Sequence, residues 1–140
     1  MNLFKSWKLF DLKLTKNYLL TIKPSFHLIM KAAFYSKLDA YLNELDTKRQ
    51  AKYLITAETY EKIVQVLSTE TKYDPQFNFW AKKRFTSLKI NDQPVVYSAK
   101  EKLPIVKYEN LFETLKECHL SVGHLGRDKT WHEVSYRQVV

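Results

Sequence analysis

Two histidines, His119 and His124, stand with four residues between them in the stretch ECHLSVGHLGRDKT. Cys118 directly precedes the first, and the chain's two glycines, Gly123 and Gly126, flank the second. Imidazole nitrogens are zinc ligands, and a structural zinc takes about four nitrogen or sulfur ligands in a tetrahedron. A histidine at a helix end and another in the following turn converge on one ion if the chain reverses between them. Gly123 permits that reversal, Gly126 permits the turn into a further helix, and Asp128 is placed to cap it. His119 and His124 are therefore the candidate metal ligands. Other local groups are worse placed. Cys118 adjoins His119, and adjacent helical positions point about 100° apart; its expected role is that of a small buried residue. His132 reaches the ion only if its helix folds back.

The elements that must position this pair follow from periodicity. From Lys31 to Asp46 the apolar residues Ala33, Phe34, Leu38, Tyr41, Leu42 and Leu45 recur at helical spacing. Charge in DTKRQAK ends the pattern. Thr56 then reads as the cap of a second helix, with Glu58 and Glu61 near its start and Tyr60, Ile63, Val64 and Leu67 along one side. Asp74-Pro75 reads as cap and first helical residue of a third, PQFNFWAKKRFTSL. Phe77, Trp80, Ala81, Phe85 and Leu88 share its apolar face. The period then shortens to two. SLKIND and PVVYSA flank the turn NDQP, and KLPIVKY follows; three short antiparallel strands are expected, with Pro104 at an edge or a strand start. A last helical pair, LFETLKECH opening at Glu109 or Asn110 and KTWHEVSYRQVV, brackets the histidine turn. The expected fold class is α+β, four to five helices around a three-stranded antiparallel sheet. The expected organisation is an irregular basic extension over 1–30, an extension domain over 31–108 and the histidine region over 109–140.

Composition bounds the function. The chain has 140 residues, 45% of them apolar, which suits one domain or one with an extension. One cysteine excludes an internal disulfide framework and suggests a reducing, intracellular compartment. The net charge of +8 is uneven: residues 1–55 carry +6 and residues 56–140 carry +2. A basic surface favours phosphate partners, though lysine far outnumbers arginine, the better bidentate reader of phosphate and guanine. No apolar run approaches the ~20 residues of a membrane helix; the best candidate, NYLLTIKPSFHLIM, is broken at Lys23-Pro24. No membrane partner is expected.

The block His-x4-His-x-Gly-x-x-Lys-Thr, carried here by His119, His124, Gly126, Lys129 and Thr130, resembles the first half of the His-His-Cys-Cys zinc-binding domain of retroviral, retrotransposon and transposon integrases. Upstream, YLITAETYEKIVQVL, DPQFNFWAKKRFTSLKINDQPVVY and LPIVKYENLFETLKECH look like domesticated integrase-like proteins of the KRAB-A domain-containing and SCAN domain-containing kinds. The likeness covers roughly residues 53–136. The resemblance implies a nuclear, transposon-derived chain in which zinc is ligated by His119 and His124 together with a later Cys-x-x-Cys. No Cys-x-x-Cys occurs in the sequence. The implied site is thus incomplete, and zinc requires ligands from a longer product or a partner.

The integrase core also implies three carboxylates on two metal ions. That core would follow the cysteines, so no catalytic residue is assigned and the chain is not expected to be an enzyme. Asp39, Glu44, Asp46, Glu58 and Glu61 read as solvated acids. Lys82, Lys83, Arg84, Arg127 and Lys129 are the candidate nucleic-acid contacts, giving weak, salt-sensitive binding; the solvated face of an amphipathic helix is the favoured reading of the run AKKRF. Phe77, Phe79, Trp80 and Phe85 have the types to stack bases, but their spacing is that of a core. Trp131 and Tyr136 on the last helix offer apolar surface for self-association or a protein partner. The expected function is a non-catalytic integrase-like fragment with weak nucleic-acid binding or a scaffold role; the alternative is a small α+β protein-interaction module with no nucleic-acid role.

Overall fold

The structure is a computed structural model that describes residues 24–44, 54–69, 73–123 and 126–137. It is α+β. Five α-helices and one two-stranded antiparallel sheet are described: α1 Pro24–Asn43, α2 Ala57–Ser68, α3 Pro75–Arg84, β1 Phe85–Ile90, β2 Gln93–Ser98, α4 Leu111–Ser121 and α5 Arg127–Arg137. These residues fall in two compact units, one holding α1 with residues 112–132, the other holding residues 54–111 with the end of α5. None of the described helices is long and apolar enough to cross a membrane.

In the first unit, α1 begins at Pro24, so helix occupies residues 24–30 of the expected extension; residues 1–23 lie outside the described residues. Proline suits the first helical position because its missing N–H would have no intrahelical partner there. Along α1, Phe34 and Leu38 are buried while His27, Lys31, Tyr35, Tyr41 and Leu42 are half-buried. This is the three- and four-residue stripe that an amphipathic helix turns inward. Ala33, expected on that stripe, is exposed, and Leu45 lies outside the described residues.

The second unit is built around α2. Thr56 caps it, its hydroxyl accepting from the Thr59 amide at 3.3 Å. The Ala57 amide donates to both carboxylate oxygens of Glu109, at 3.1 and 3.0 Å. A negative group at a helix N-terminus also meets the positive end of the macrodipole. The side facing inward carries Tyr60, Ile63, Val64 and Val66, all buried. Asp74 caps α3 as expected, accepting from the Gln76 and Phe77 amides at 3.1 and 3.2 Å, with Pro75 next.

Three expectations are corrected here. First, α3 ends at Arg84 and β1 starts at Phe85 without a loop, so Phe85 and Leu88 lie on the strand. FTSLKI satisfies both periods locally, and pairing with β2 selects the extended form. Second, the turn is the two-residue Asn91-Asp92, with φ of 50° and 60°, closing between Ile90 and Gln93. Such left-handed pairs match the twist of a hairpin, and Pro94 becomes part of β2. Third, residues 103–107 do not form a third strand. They make one antiparallel bridge, Tyr97 to Pro104, and one parallel bridge, Ile55 to Lys107. Pro104 has no N–H to continue a ladder. The flanking bonds remain: Leu103 C=O accepts from Ser98 N–H at 2.9 Å, and Ile105 N–H donates to Val96 C=O at 3.0 Å.

The core of this unit comprises Ile55, Tyr60, Ile63, Val64, Val66, Ala81, Phe85 and Val96. Tyr73, Phe77, Trp80 and Phe85 run through it as successive ring contacts at 6.0, 5.4 and 5.0 Å. The Tyr60 hydroxyl accepts from the Val96 amide at 2.9 Å, and Val96 has no exposed surface. Tyr60→Phe would strand that amide. The expected cost is about 1–3 kcal/mol, the desolvation penalty of one buried donor, measured by chemical denaturation against the parent.

Candidate functional site

The histidine turn is prepared by α4. A short 3₁₀ turn, Tyr108–Asn110, leads into it, and Leu111, Phe112, Leu115 and Cys118 are buried along one side. Cys118 thus takes the packing role expected of it, and His119, one position on, is half-buried. The helix closes with Gly123 N–H donating to Leu120 C=O at 3.0 Å. Gly123 has φ +62° with nothing near its Cβ position, so the backbone twist and not crowding selects glycine.

On the far side of the turn, Gly126 (φ +91°) precedes α5. Its carbonyl accepts from the Thr130 amide at 3.2 Å and from the Thr130 hydroxyl at 2.9 Å. Asp128, expected to cap α5, instead lies in its first turn. Thr130 is 1% exposed. Its hydroxyl also lies 3.0 Å from His119 Nδ1. A hydroxyl has one hydrogen, and here it goes to Gly126, so the His119 bond must be donated by Nδ1–H. In the neutral ring that is the Nδ1–H tautomer, in which Nε2 carries the lone pair; Nε2 itself is shielded from solvent. Orientation of a ligating imidazole through its other ring nitrogen is how metal sites fix their histidines. Of the expected pair, His124 lies outside the described residues. Among the described residues no group of three His, Cys, Asp or Glu side chains is placed to hold a metal ion. His132 is exposed on α5.

The basic candidates are dispersed. Lys82, Lys83 and Arg84 form the exposed last turn of α3, with Lys83 Nζ 5.7 Å from the Phe79 ring centroid. Phe79 is 68% exposed, whereas Phe77 and Trp80 are half-buried and Phe85 is buried. Lys129 is exposed on α5; Arg127 opens that helix, and its side chain lies outside the described residues. Tyr136 is 71% exposed and Trp131 half-buried. Asp39, Glu44, Glu58 and Glu61 are exposed, and Asp46 lies outside the described residues.

A second polar cluster joins α1 to α4. His27 Nε2 lies 3.0 Å from Glu113 Oε1, Lys31 Nζ donates to the same oxygen at 3.4 Å, and Lys116 Nζ lies 3.2 Å from His27 Nδ1. An ammonium only donates, so Nδ1 accepts from Lys116 and Nε2–H donates to Glu113. The His27 ring leans on Phe112, centroids 5.4 Å apart. Burial pushes the Glu113 carboxyl up, but the neighbouring His27, the hydrogen bonds donated by Lys31 and His27, and the Lys31 ammonium outweigh it and hold the carboxyl below its ordinary value of 4.5. The sequence gives no sign of this cluster. His27 and Glu113 are 86 positions apart, and no local pattern links them.

Two outcomes follow. Ring ¹⁵N shifts should report His119 as the Nδ1–H tautomer, and Thr130→Val should erase that preference while costing about 1–2 kcal/mol through the lost buried hydroxyl. A depressed folded-state carboxyl contributes stability above its ordinary value and loses it as pH falls through the folded value. Glu113→Gln should therefore destabilise at neutral pH, by on the order of 0.5–1 kcal/mol for so screened a group, and the difference from the parent should vanish in acid below 4.5. Comparison of the chain with family models, with curated proteins and with solved structures found no match.

Proposed function

We propose that the chain is a non-catalytic, integrase-like segment of transposon origin that acts through weak nucleic-acid binding or as a scaffold, in the nucleus. The observation that carries this reading is the Gly126–Thr130–His119 bridge. In the block Gly-x-x-Lys-Thr, the glycine supplies a carbonyl at a left-handed turn, the threonine bonds to it, and the same hydroxyl orients His119. Those residue types at that spacing are what holding an imidazole for a ligand would require. Zinc would be bound by His119 through Nε2 and by His124, with sulfur ligands from a longer product or a partner. Bound zinc would tie the turn to those ligands; a lone histidine pair leaves its tetrahedron half filled. Lys82, Lys83, Arg84, Arg127 and Lys129 are the proposed phosphate-binding residues.

Zinc titration of the purified chain against a chelating indicator is expected to give no one-to-one complex that survives competition. A surviving complex that His119→Ala abolishes would show that the site is already complete. Binding to a generic duplex should be weak and fall steeply with salt. Replacing Lys82 and Lys83 by Glu should flatten the slope of log affinity against log salt by about 0.9 for each phosphate that is no longer neutralised; an unchanged slope would remove these residues from the interface.

One observation favours the alternative reading, a protein-interaction module. Leu88 and Ile90 on β1 are 56% and 46% exposed, side by side on a strand with a partner along only one edge among the described residues.

A further inference from the structure

The hairpin has one closed edge and one open edge. On β2, Val96 turns both backbone groups away from β1: its N–H donates to the Tyr60 hydroxyl and its C=O accepts from Ile105. Val96 faces Ser87 in the register, and Lys89 faces Pro94 two positions on. In an antiparallel pair, residues opposite each other either exchange both bonds or point both sets outward. Ser87 and Lys89 therefore direct their N–H and C=O groups to the side of β1 remote from β2. That side meets no strand or bridge among the described residues. Pro94 fits the same alternation, since its position needs no donor toward β1.

The side chains beside this edge are unusual for one left to water. Leu88 and Ile90 share the outer sheet face with Thr86, Val95 and Tyr97. The rest of the neighbourhood is cationic: Lys82, Lys83 and Arg84 lead directly into β1, Lys89 lies within it, and all four are exposed. Only Asp92 at the turn is acidic in the stretch Lys82–Gln93. A second copy pairing through β1 would set this run against itself, and lysine on an edge is a known guard against such self-pairing. An extended strand with acidic residues alternating with apolar ones answers both features. Its backbone would complete the ladder, its apolar side chains would cover Leu88 and Ile90, and its carboxylates would meet Lys83, Arg84 and Lys89.

We propose that β1 is a docking edge for an extended, acidic segment of a partner protein, which adds to the hairpin as an outer strand. The inference rests on the interaction-module reading and names its partner class.

The test uses the full chain and a synthetic probe peptide of alternating Glu and Val, with an alternating Lys and Val peptide and a generic single-stranded oligonucleotide as comparisons. Binding is read by fluorescence anisotropy, and amide hydrogen exchange is read by NMR. The acidic peptide should bind, the lysine peptide should not, and the amides of Ser87 and Lys89 should become protected. Leu88→Glu should weaken the peptide by on the order of tenfold, the scale of one missing cross-strand pair plus one charge clash. Ser87→Pro should abolish binding by removing an edge donor; the retained shifts of Val96 and Tyr60 report whether the hairpin has survived. Peptide binding without protection at Ser87 and Lys89 would overturn the edge while leaving an interaction module. Oligonucleotide binding with no peptide binding would overturn both, and so would no binding of either.

Discussion

A buried amide must have a partner, and at Val96 that requirement organises the whole second unit. The residue has no exposed surface, so neither of its backbone groups can turn to water. The hairpin partner does not take them. A tyrosine from α2 takes one and the segment after β2 takes the other. Helix, hairpin and return segment are thereby locked in one register. The aromatic run from Tyr73 to Phe85 then packs against a surface already positioned. The same demand divides the sheet into an edge already bonded and an edge left open.

Around His119 the controlling fact is smaller: a hydroxyl has a single hydrogen. Because Thr130 gives it to the Gly126 carbonyl, the imidazole must donate, and its tautomer is decided by a residue 11 positions away. A glycine in the left-handed region, a threonine and a histidine thus form one hydrogen-bonded chain.

Local chemistry was legible in the sequence, and distant pairing was not. Thr56 and Asp74-Pro75 announced two helix starts because a cap is made by residues within three positions of one another. The end of α3 was hidden. Phe85 and Leu88 extend a helical stripe as well as they begin an alternating strand, and only β2 decides between them. The third strand does not form because Pro104 has no N–H to carry a ladder past the single bridge to Tyr97. In α2 the buried residue proved to be Val66, with Leu67 only partly covered, a shift of one position that periodicity does not distinguish. For the histidine turn, the motif pointed to Thr130 but not to its use as the imidazole's acceptor. The His27–Glu113 clasp gave no sign, since its two residues lie far apart along the chain.

The bridge between Ile55 and Lys107 has a topological meaning. With the Tyr108 amide on the Ile55 carbonyl at 2.8 Å and Glu109 on the first amide of α2, it clasps together the two ends of the segment 54–111. These bonds are all made within the segment itself, so its two ends are held side by side at little loop-closure cost. Changes at the far tip, in the Asn91-Asp92 turn, leave that clasp untouched.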